Sequence, residues 1–135
     1  MANKTRSFLK TKNTNFNNIL DSIVVLETAD GAVTQSTNHT TGVTVNATSG
    51  VITLAAAAVA NATNAEFTVT NSTVQADSVI LVTMQDENTT DNAQLSCAVH
   101  TIAGGSFKIS IHHADSAGAT SATASKIHFL VINTS

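Results

Sequence analysis

Aromatic side chains are scarce in this chain. There is no Trp and no Tyr among its 135 residues, and there are only five Phe. Sites for sugars and for single-stranded nucleic acids depend on stacking against such rings, so their scarcity weakens the case for both classes of ligand. The core must be built from Val, Ile, Leu, Ala and a few Phe, which makes it thin for this length. Association between copies is therefore an expected source of further burial.

Cysteine and long apolar segments are also lacking. The single Cys97 excludes a framework of intrachain disulfides, and its place within Leu95–Val99 predicts a buried, inert thiol on the inward side of a strand. No uninterrupted apolar stretch has the length of a secretory signal, and the run Ile23–Leu26 is far too short to cross a bilayer. We therefore expect a protein made in a cytoplasm, with no membrane partner.

Charge is sparse and unevenly placed. Charged residues make up 11% of the chain and the net charge is −3. The first twelve residues carry four basic side chains and no acid, whereas the rest of the chain carries two basic and nine acidic ones. Such an arm fits contact with an acidic protein surface or with nucleic acid, and it equally fits a solvated tail.

Residues that favour strands and turns are abundant. Thr is the commonest residue, with 22 copies, and Thr, Ser and Asn together account for 48 residues. Apolar and polar residues alternate in Ser106–His113, where Phe107, Ile109 and Ile111 point to one side of the chain. This period of two predicts strands with an apolar inner face and a Thr- and Ser-rich outer face.

The spacing of these alternating runs predicts an all-β fold, an antiparallel two-sheet sandwich of jelly-roll or Greek-key type. We expect the sandwich to span residues 34–135, behind an extended N-terminal arm of residues 1–33. Asp30-Gly31 is predicted to be a turn, and Leu54–Ala60 fits either a single turn of helix or a crossover between sheets. The predicted strands are Ala32–Gln35, Gly42–Asn46, Val51–Leu54, Ala65–Thr70, Ser78–Gln85, Ala93–Ile102, Ser106–His113 and Lys126–Ile132.

Four histidines lie on neighbouring predicted strands, and imidazoles at such positions can in principle converge on a metal ion. His112 and His113 are consecutive in a strand, so they face opposite sides, while His100 and His128 fall on polar faces. This spacing is no metal signature. We favour the interpretation that these histidines are exposed to solvent or lie at an interface. The alternative is that they form a ring of metal ligands around an oligomer axis.

The remaining motifs do not support catalysis. Asp86, Glu87 and Asp91 could supply oxygen ligands to Ca²⁺ but lack the periodicity of an EF-hand, so we expect a solvated loop. The chain contains neither a Gly-x-Ser-x-Gly nucleophile elbow nor a glycine-rich phosphate loop. We therefore expect neither catalytic activity nor a bound cofactor or metal ion. The functions that remain are self-assembly and binding to a surface.

Several of the predicted strands resemble a β domain that recurs in virion proteins of tailed bacteriophages, including capsid decoration (cement) proteins and segments of fibres. The resemblance covers residues 36–132, about three quarters of the chain. It rests on Thr41–Asn46, Ser49–Leu54, Glu66–Asn71, Val79–Val82, His100–Phe107 and Ile127–Ile132.

The resemblance implies a homotrimer on the outside of a phage capsid, where it would stabilise the shell. The expected partners are further copies of the chain and the major capsid protein, and nucleic acid is not among them. The arm is the expected capsid-binding element, through Lys4, Arg6, Phe8, Leu9, Lys10, Lys12, Phe16, Ile19 and Leu20.

The alternative is a receptor- or host-surface-binding module of a phage fibre. It would act through loops at 86–92 and 114–125, with Asp86, Glu87, Asp91 and Asp115 as candidate recognition residues.

Overall fold

The computed structural model describes residues 30–59, 63–85, 87, 95–113 and 123–133. Its secondary structure is entirely β, which confirms the predicted fold class. The described part of the chain also contains no helical segment suited to crossing a lipid bilayer. The eight strands are β1 (Asp30–Thr34), β2 (Val43–Thr44), β3 (Ser49–Thr53), β4 (Asn64–Thr70), β5 (Val79–Gln85), β6 (Leu95–Ala103), β7 (Ser106–His113) and β8 (Lys126–Ile132).

The strands form two four-stranded sheets, so the predicted two-sheet sandwich is confirmed. Sheet A has the order β1-β3-β8-β5, and sheet B has the order β2-β4-β7-β6. The antiparallel pairs β3–β8 and β4–β7 are nested along the chain, as in a jelly roll. Both sheets are mixed rather than wholly antiparallel, because β1 pairs with β3, and β2 with β4, in parallel. The chain alternates between sheets from β1 to β4, and a crossover of this kind permits parallel neighbours.

The core lies between the sheets and is built mainly from aliphatic side chains. The inward residues of β7, namely Phe107, Ile109 and Ile111, are fully buried. Phe107 packs against Phe129 of β8 across the sandwich, with a distance of 6.3 Å between ring centroids. The predicted alternation of β7 is therefore confirmed, and it sets which faces of sheets A and B point outward.

Most predicted strands are present, with small shifts at their ends. The bounds of β7 and β8 coincide with the predictions, whereas only two residues of the predicted Gly42–Asn46 pair as a strand. The predicted turn at Asp30-Gly31 is wrong: both residues pair with β3. Residues 30–33, assigned to the arm from sequence, thus belong to the sandwich. The stretch 54–59 contains no helix.

Two buried amides fasten the loops to the sheets. Asn71 is fully buried, and its Nδ2 donates to the Ala47 carbonyl at 2.7 Å while its Oδ1 accepts from the backbone N–H of Thr73 at 3.0 Å. Gln35 follows β1, and its side chain donates to the Thr41 carbonyl at 2.8 Å and accepts from the Ala55 N–H at 3.3 Å. These bonds satisfy buried polar groups in chain segments that have no strand partner.

Candidate interaction surfaces

Most of the residues predicted to bind partners lie outside the described residues. This holds for the whole capsid-binding set on the arm and for three acids of the predicted recognition loops. Glu87 alone of these candidates is described. The candidates outside are Lys4, Arg6, Phe8, Leu9, Lys10, Lys12, Phe16, Ile19, Leu20, Asp86, Asp91 and Asp115.

Glu87 is exposed and is held by neighbours on strands and loops of its own chain. Its carboxylate accepts from Gln85 Nε2 at 2.6 Å and lies 3.5 Å from the Lys126 ammonium. Its backbone N–H donates to Ser125 Oγ at 3.1 Å. Exposed pairs of this kind contribute little to stability, and these bonds tie the end of β5 to the start of β8.

The outer face of sheet B is polar, as predicted. At its centre, Glu66 of β4 accepts from Lys108 of β7 at 2.5 Å and lies 3.1 Å from His100 Nε2 of β6. The hydrogen bond from Lys108 holds the pKa of the Glu66 carboxyl below its usual value, and the charges of Lys108 and His100 add to this. Nearby, His112 Nδ1 lies 2.5 Å from Asn64 Oδ1. This face presents compensated charge to solvent.

The histidines are dispersed, so they do not converge on one point. His113 is fully buried between the sheets, whereas His112 is exposed on the outer face of sheet B. His128 is exposed on the other sheet, 3.1 Å from Gln85 Oε1. In the parts of the chain that the structure covers, no group of three or more His, Cys, Asp or Glu side chains is placed to hold a metal ion.

The outer face of sheet A is different, because one end of it is apolar. Val79 and Leu81 of the edge strand β5 are 47% and 54% exposed. They pair directly with Ile132 and Leu130 of β8, which are half-buried. We call Val79, Leu81, Leu130 and Ile132 the apolar patch. The predicted Thr- and Ser-rich outer face is therefore wrong for this end of sheet A.

A signal for the apolar patch is present in the sequence. Val79–Val82 and Phe129–Ile132 are each four consecutive apolar residues, not an alternation. Such runs are typical of strands that are covered on both faces. In each run, alternate side chains point into the core and the others point outward. The outward side chains are not covered by any other part of the described chain.

A groove lies next to the apolar patch, over β1, β3 and β8. Its volume is about 460 Å³. Its floor includes the backbone of Gly31 and Gly50, and Leu130 belongs to both the groove and the patch. The other residues that line it are Asp30, Ala32, Ser49, Val51, His128 and Phe129. Two of these residues are hydrogen-bonded to each other, since Ser49 Oγ donates to Asp30 Oδ1 at 3.0 Å.

The sequence gives no indication that one of the histidines is buried in a loop. His39 lies in the loop after β1 and is 5% exposed. Burial lowers the pKa of its imidazole, partly offset by a hydrogen bond to the backbone of Ala55. Its Nε2 is buried and has no hydrogen-bonding partner among the described residues. No motif marks this position, since Asn38-His-Thr40 reads as an ordinary polar loop.

Cys97 lies on the predicted inward side of β6 and packs against the core. Its thiol is half-buried, and burial raises its pKa. A raised pKa keeps the sulfur protonated near neutral pH, and the thiolate is the reactive form. The geometry therefore fits a packing role for this side chain.

No protein-family model, curated protein or solved structure matches this chain.

Proposed function

We propose that the protein is a structural virion protein that binds the outside of a phage capsid as a trimeric decoration protein and stabilises the shell. The observation that carries this proposal is the contrast between the two outer faces. Sheet B presents paired charges to solvent, whereas sheet A exposes Val79 and Leu81 on an edge strand. Exposed apolar patches on soluble proteins mark contact sites for other proteins.

The apolar patch suits contact between copies of the chain. Leu81 and Leu130 are directly paired, so their side chains form one continuous surface with Val79 and Ile132. Nothing on that surface carries a charge, so copies arranged around a three-fold axis can bring their patches together without burying an unpaired ion. This supports a homotrimer, in which each sandwich adds apolar burial that its thin core lacks.

The basic arm suits contact with the shell. Lys4, Arg6, Lys10 and Lys12 stand in a segment without acids, while the chain from residue 13 onward is acidic. This separation of charge favours an acidic partner on the arm side and keeps the sandwich bodies from binding the same surface. Apolar arm residues such as Phe8 and Phe16 would add specific contacts.

Binding to capsids tests the proposal. Purified protein is mixed with capsids that lack it, and the bound fraction is measured by sedimentation. Reversing the four basic arm charges to Glu should abolish binding and leave the trimer intact, and deleting residues 1–20 should do the same. The matched control changes Thr5, Ser7, Thr11 and Asn13 to Ala and should bind normally. Unchanged capsid binding by the charge-reversed arm, or binding to host cells and not to capsids, would overturn the proposal.

A further inference from the structure

The loop between β1 and β2 is fastened to the 54–59 segment, which follows β3, by two side chains. We call residues 36–41 the His39 loop. Gln35 bridges the two, because its amide donates to a carbonyl of the loop at 2.8 Å and accepts from the Ala55 N–H at 3.3 Å. The ring of His39 is buried and is hydrogen-bonded to the backbone of the same Ala55. Both fastenings therefore meet at one residue of the segment.

The imidazole of His39 fits this position in its neutral form. Its hydrogen bond with Ala55 raises the pKa of the ring, so the ring donates and the Ala55 carbonyl accepts. The donor is Nδ1, because Nε2 is buried and has no hydrogen-bonding partner among the described residues. A proton on Nε2 would add a buried N–H without an acceptor, together with a buried charge. Burial accordingly lowers the pKa of the ring and is the larger of the two effects.

No charged side chain is placed to compensate a proton on His39. A cavity of about 250 Å³ lies beside the ring, and apart from His39 it is lined by Ala, Val, Thr and Asn residues of the loop, the 54–59 segment and the start of β4. The titratable groups of β4 and the adjoining β7 are Glu66, Lys108, His112 and His113. The first three lie on the outer face of sheet B, where Glu66 is paired with Lys108. His113 is buried between the sheets, and its backbone N–H donates to the carbonyl of Thr63 at 3.4 Å.

The His39 loop can move away without dismantling a sheet. It contributes no strand to the sandwich. Its own bonds hold it together, since Asn38 Oδ1 accepts from the Thr40 N–H at 3.0 Å and the Asn38 carbonyl accepts from the Thr41 N–H at 3.0 Å. The cavity next to the ring gives the imidazole room to turn outward. Movement of the loop as a unit would therefore uncover Ala55 and leave the core between the sheets in place.

We propose that the His39 loop is an acid-released latch: protonation of His39 expels its ring and frees the loop from the 54–59 segment, while both sheets stay folded. In neutral solution the uncharged ring holds the latch closed. The release is local, so it differs from unfolding of the whole sandwich. It also involves neither the apolar patch nor the basic arm, so it holds whether or not the protein binds capsids.

Hydrogen exchange of single amides, followed by NMR in the full chain, tests the latch. The reporter is the Ala55 N–H, which is bonded to Gln35 in the closed latch. We expect its protection factor, which corrects for the pH dependence of chemical exchange, to fall below pH 6.5 by up to about tenfold per pH unit. The matched control is the neighbouring Leu54 N–H, which donates to the Ser125 carbonyl at 2.8 Å, outside the latch. Leu54 and the core amide of Ile109 should keep their protection.

Two variants assign the response to His39. In His39→Asn the side chain cannot take up the proton, so the protection of Ala55 should no longer depend on pH, although His113 is retained. His112→Asn removes an exposed histidine on the outer face of sheet B and should respond as the parent does. A pH dependence in His39→Asn equal to that of the parent would assign the response to another group and overturn the proposal.

Titration of the His39 ring protons in the parent keeps the test decisive if His39→Asn loosens the loop at every pH. The ring should take up its proton over the same pH range in which Ala55 loses protection. A ring that titrates while Ala55 stays protected would show that the charge is tolerated in place. A ring that stays neutral until the sandwich unfolds, or equal loss of protection at Ala55, Leu54 and Ile109, would show that there is no separate latch. Each of these results would overturn the proposal.

Discussion

Gly31 and Gly50 face each other across the parallel strands β1 and β3, with no room for a side chain on Gly50. A Cβ on Gly50 would overlap the carbonyl oxygen of Gly31. A Cβ on Gly31 would in turn overlap Val45 and lie 2.8 Å from Ala47. The two glycines thus allow β1 to lie close to β3 and to the inner segment 45–47, and their bare backbone forms part of the groove floor.

Gly50→Ala should destabilise the fold. Its methyl group would meet backbone atoms, which cannot move away by a change of rotamer, so we expect the free energy of unfolding to fall by about 1–3 kcal/mol. The measurement is urea denaturation of both proteins. Gly104→Ala is the control, because a Cβ there meets nothing within 4 Å, and it should change stability by less than about 0.5 kcal/mol. Equal stabilities for the two variants would contradict the close approach of β1 and β3.

Asn71→Ala should also be costly. The change removes the buried donor to the Ala47 carbonyl and the acceptor for the Thr73 N–H, which leaves polar groups without partners. We expect a loss of about 2–3 kcal/mol in the free energy of unfolding. Asn38→Ala is the matched control, since Asn38 Oδ1 accepts similar bonds from Thr40 in an exposed loop and its loss should cost under about 1 kcal/mol. A cost at Asn71 no greater than at Asn38 would argue against its anchoring role.

His39 should make stability depend on pH below neutrality. Burial places the folded-state pKa of this imidazole below its ordinary value of 6.5, so the unfolded chain binds the proton more readily. The contribution of His39 is fully present above about pH 6.5 and is lost as the pH falls toward the folded-state pKa. His39→Asn should flatten the fall in unfolding free energy between these pH values, by at most about 1.4 kcal/mol per pH unit.

The control for His39 is His112→Asn, on the exposed face of sheet B. Urea denaturation at a series of pH values from 7 downward gives the free energy of unfolding as a function of pH for the parent and for each of the two variants. If the unfolding free energies of the parent and of His39→Asn fall in parallel with pH, the buried imidazole does not cause the loss of stability in acid.

If the protein forms the proposed homotrimer, Leu81→Asp should dissociate it without unfolding the chain. The side chain is 54% exposed in the single chain, so the substitution costs little in the sandwich but places charge in the proposed contact between copies. We expect a trimer-to-monomer shift by light scattering, with an unchanged circular dichroism spectrum. Thr68→Asp adds the same charge to the outer face of sheet B and should leave the trimer intact. A trimer that persists in Leu81→Asp would move the contact to another surface.

Some strands could be predicted from sequence to the residue. The strand β7 begins and ends where the alternation of Ser106–His113 indicates, because the period of two is a local property. The bounds of β8 follow from the short apolar-rich run Lys126–Ile132 between polar segments. The start of β1 could not be predicted in this way. Asp30-Gly31 has the composition of a turn, yet its glycine is required by a neighbour that is distant in sequence.

The candidate interaction surfaces, like the strands, could be predicted from sequence only in part. The basic arm is visible as a charge pattern, and the runs Val79–Val82 and Phe129–Ile132 carry a signal of burial on two faces. That these two runs pair with each other, and so join into one patch, follows from the register of β5 with β8. The burial of His39 has no counterpart in local sequence at all.

The sequence by itself determined that this chain forms strands, which side of most strands is apolar, and that its basic charge is concentrated in the arm. Periodicity and composition act through neighbouring residues, so they can be recognised without a partner strand. The tertiary structure alone decided the parallel pairing of β1 with β3, the groove above Gly31 and Gly50, and the joining of two apolar runs into one patch on sheet A. Each of these depends on which strand lies beside which, and that is settled by packing between residues far apart in the chain.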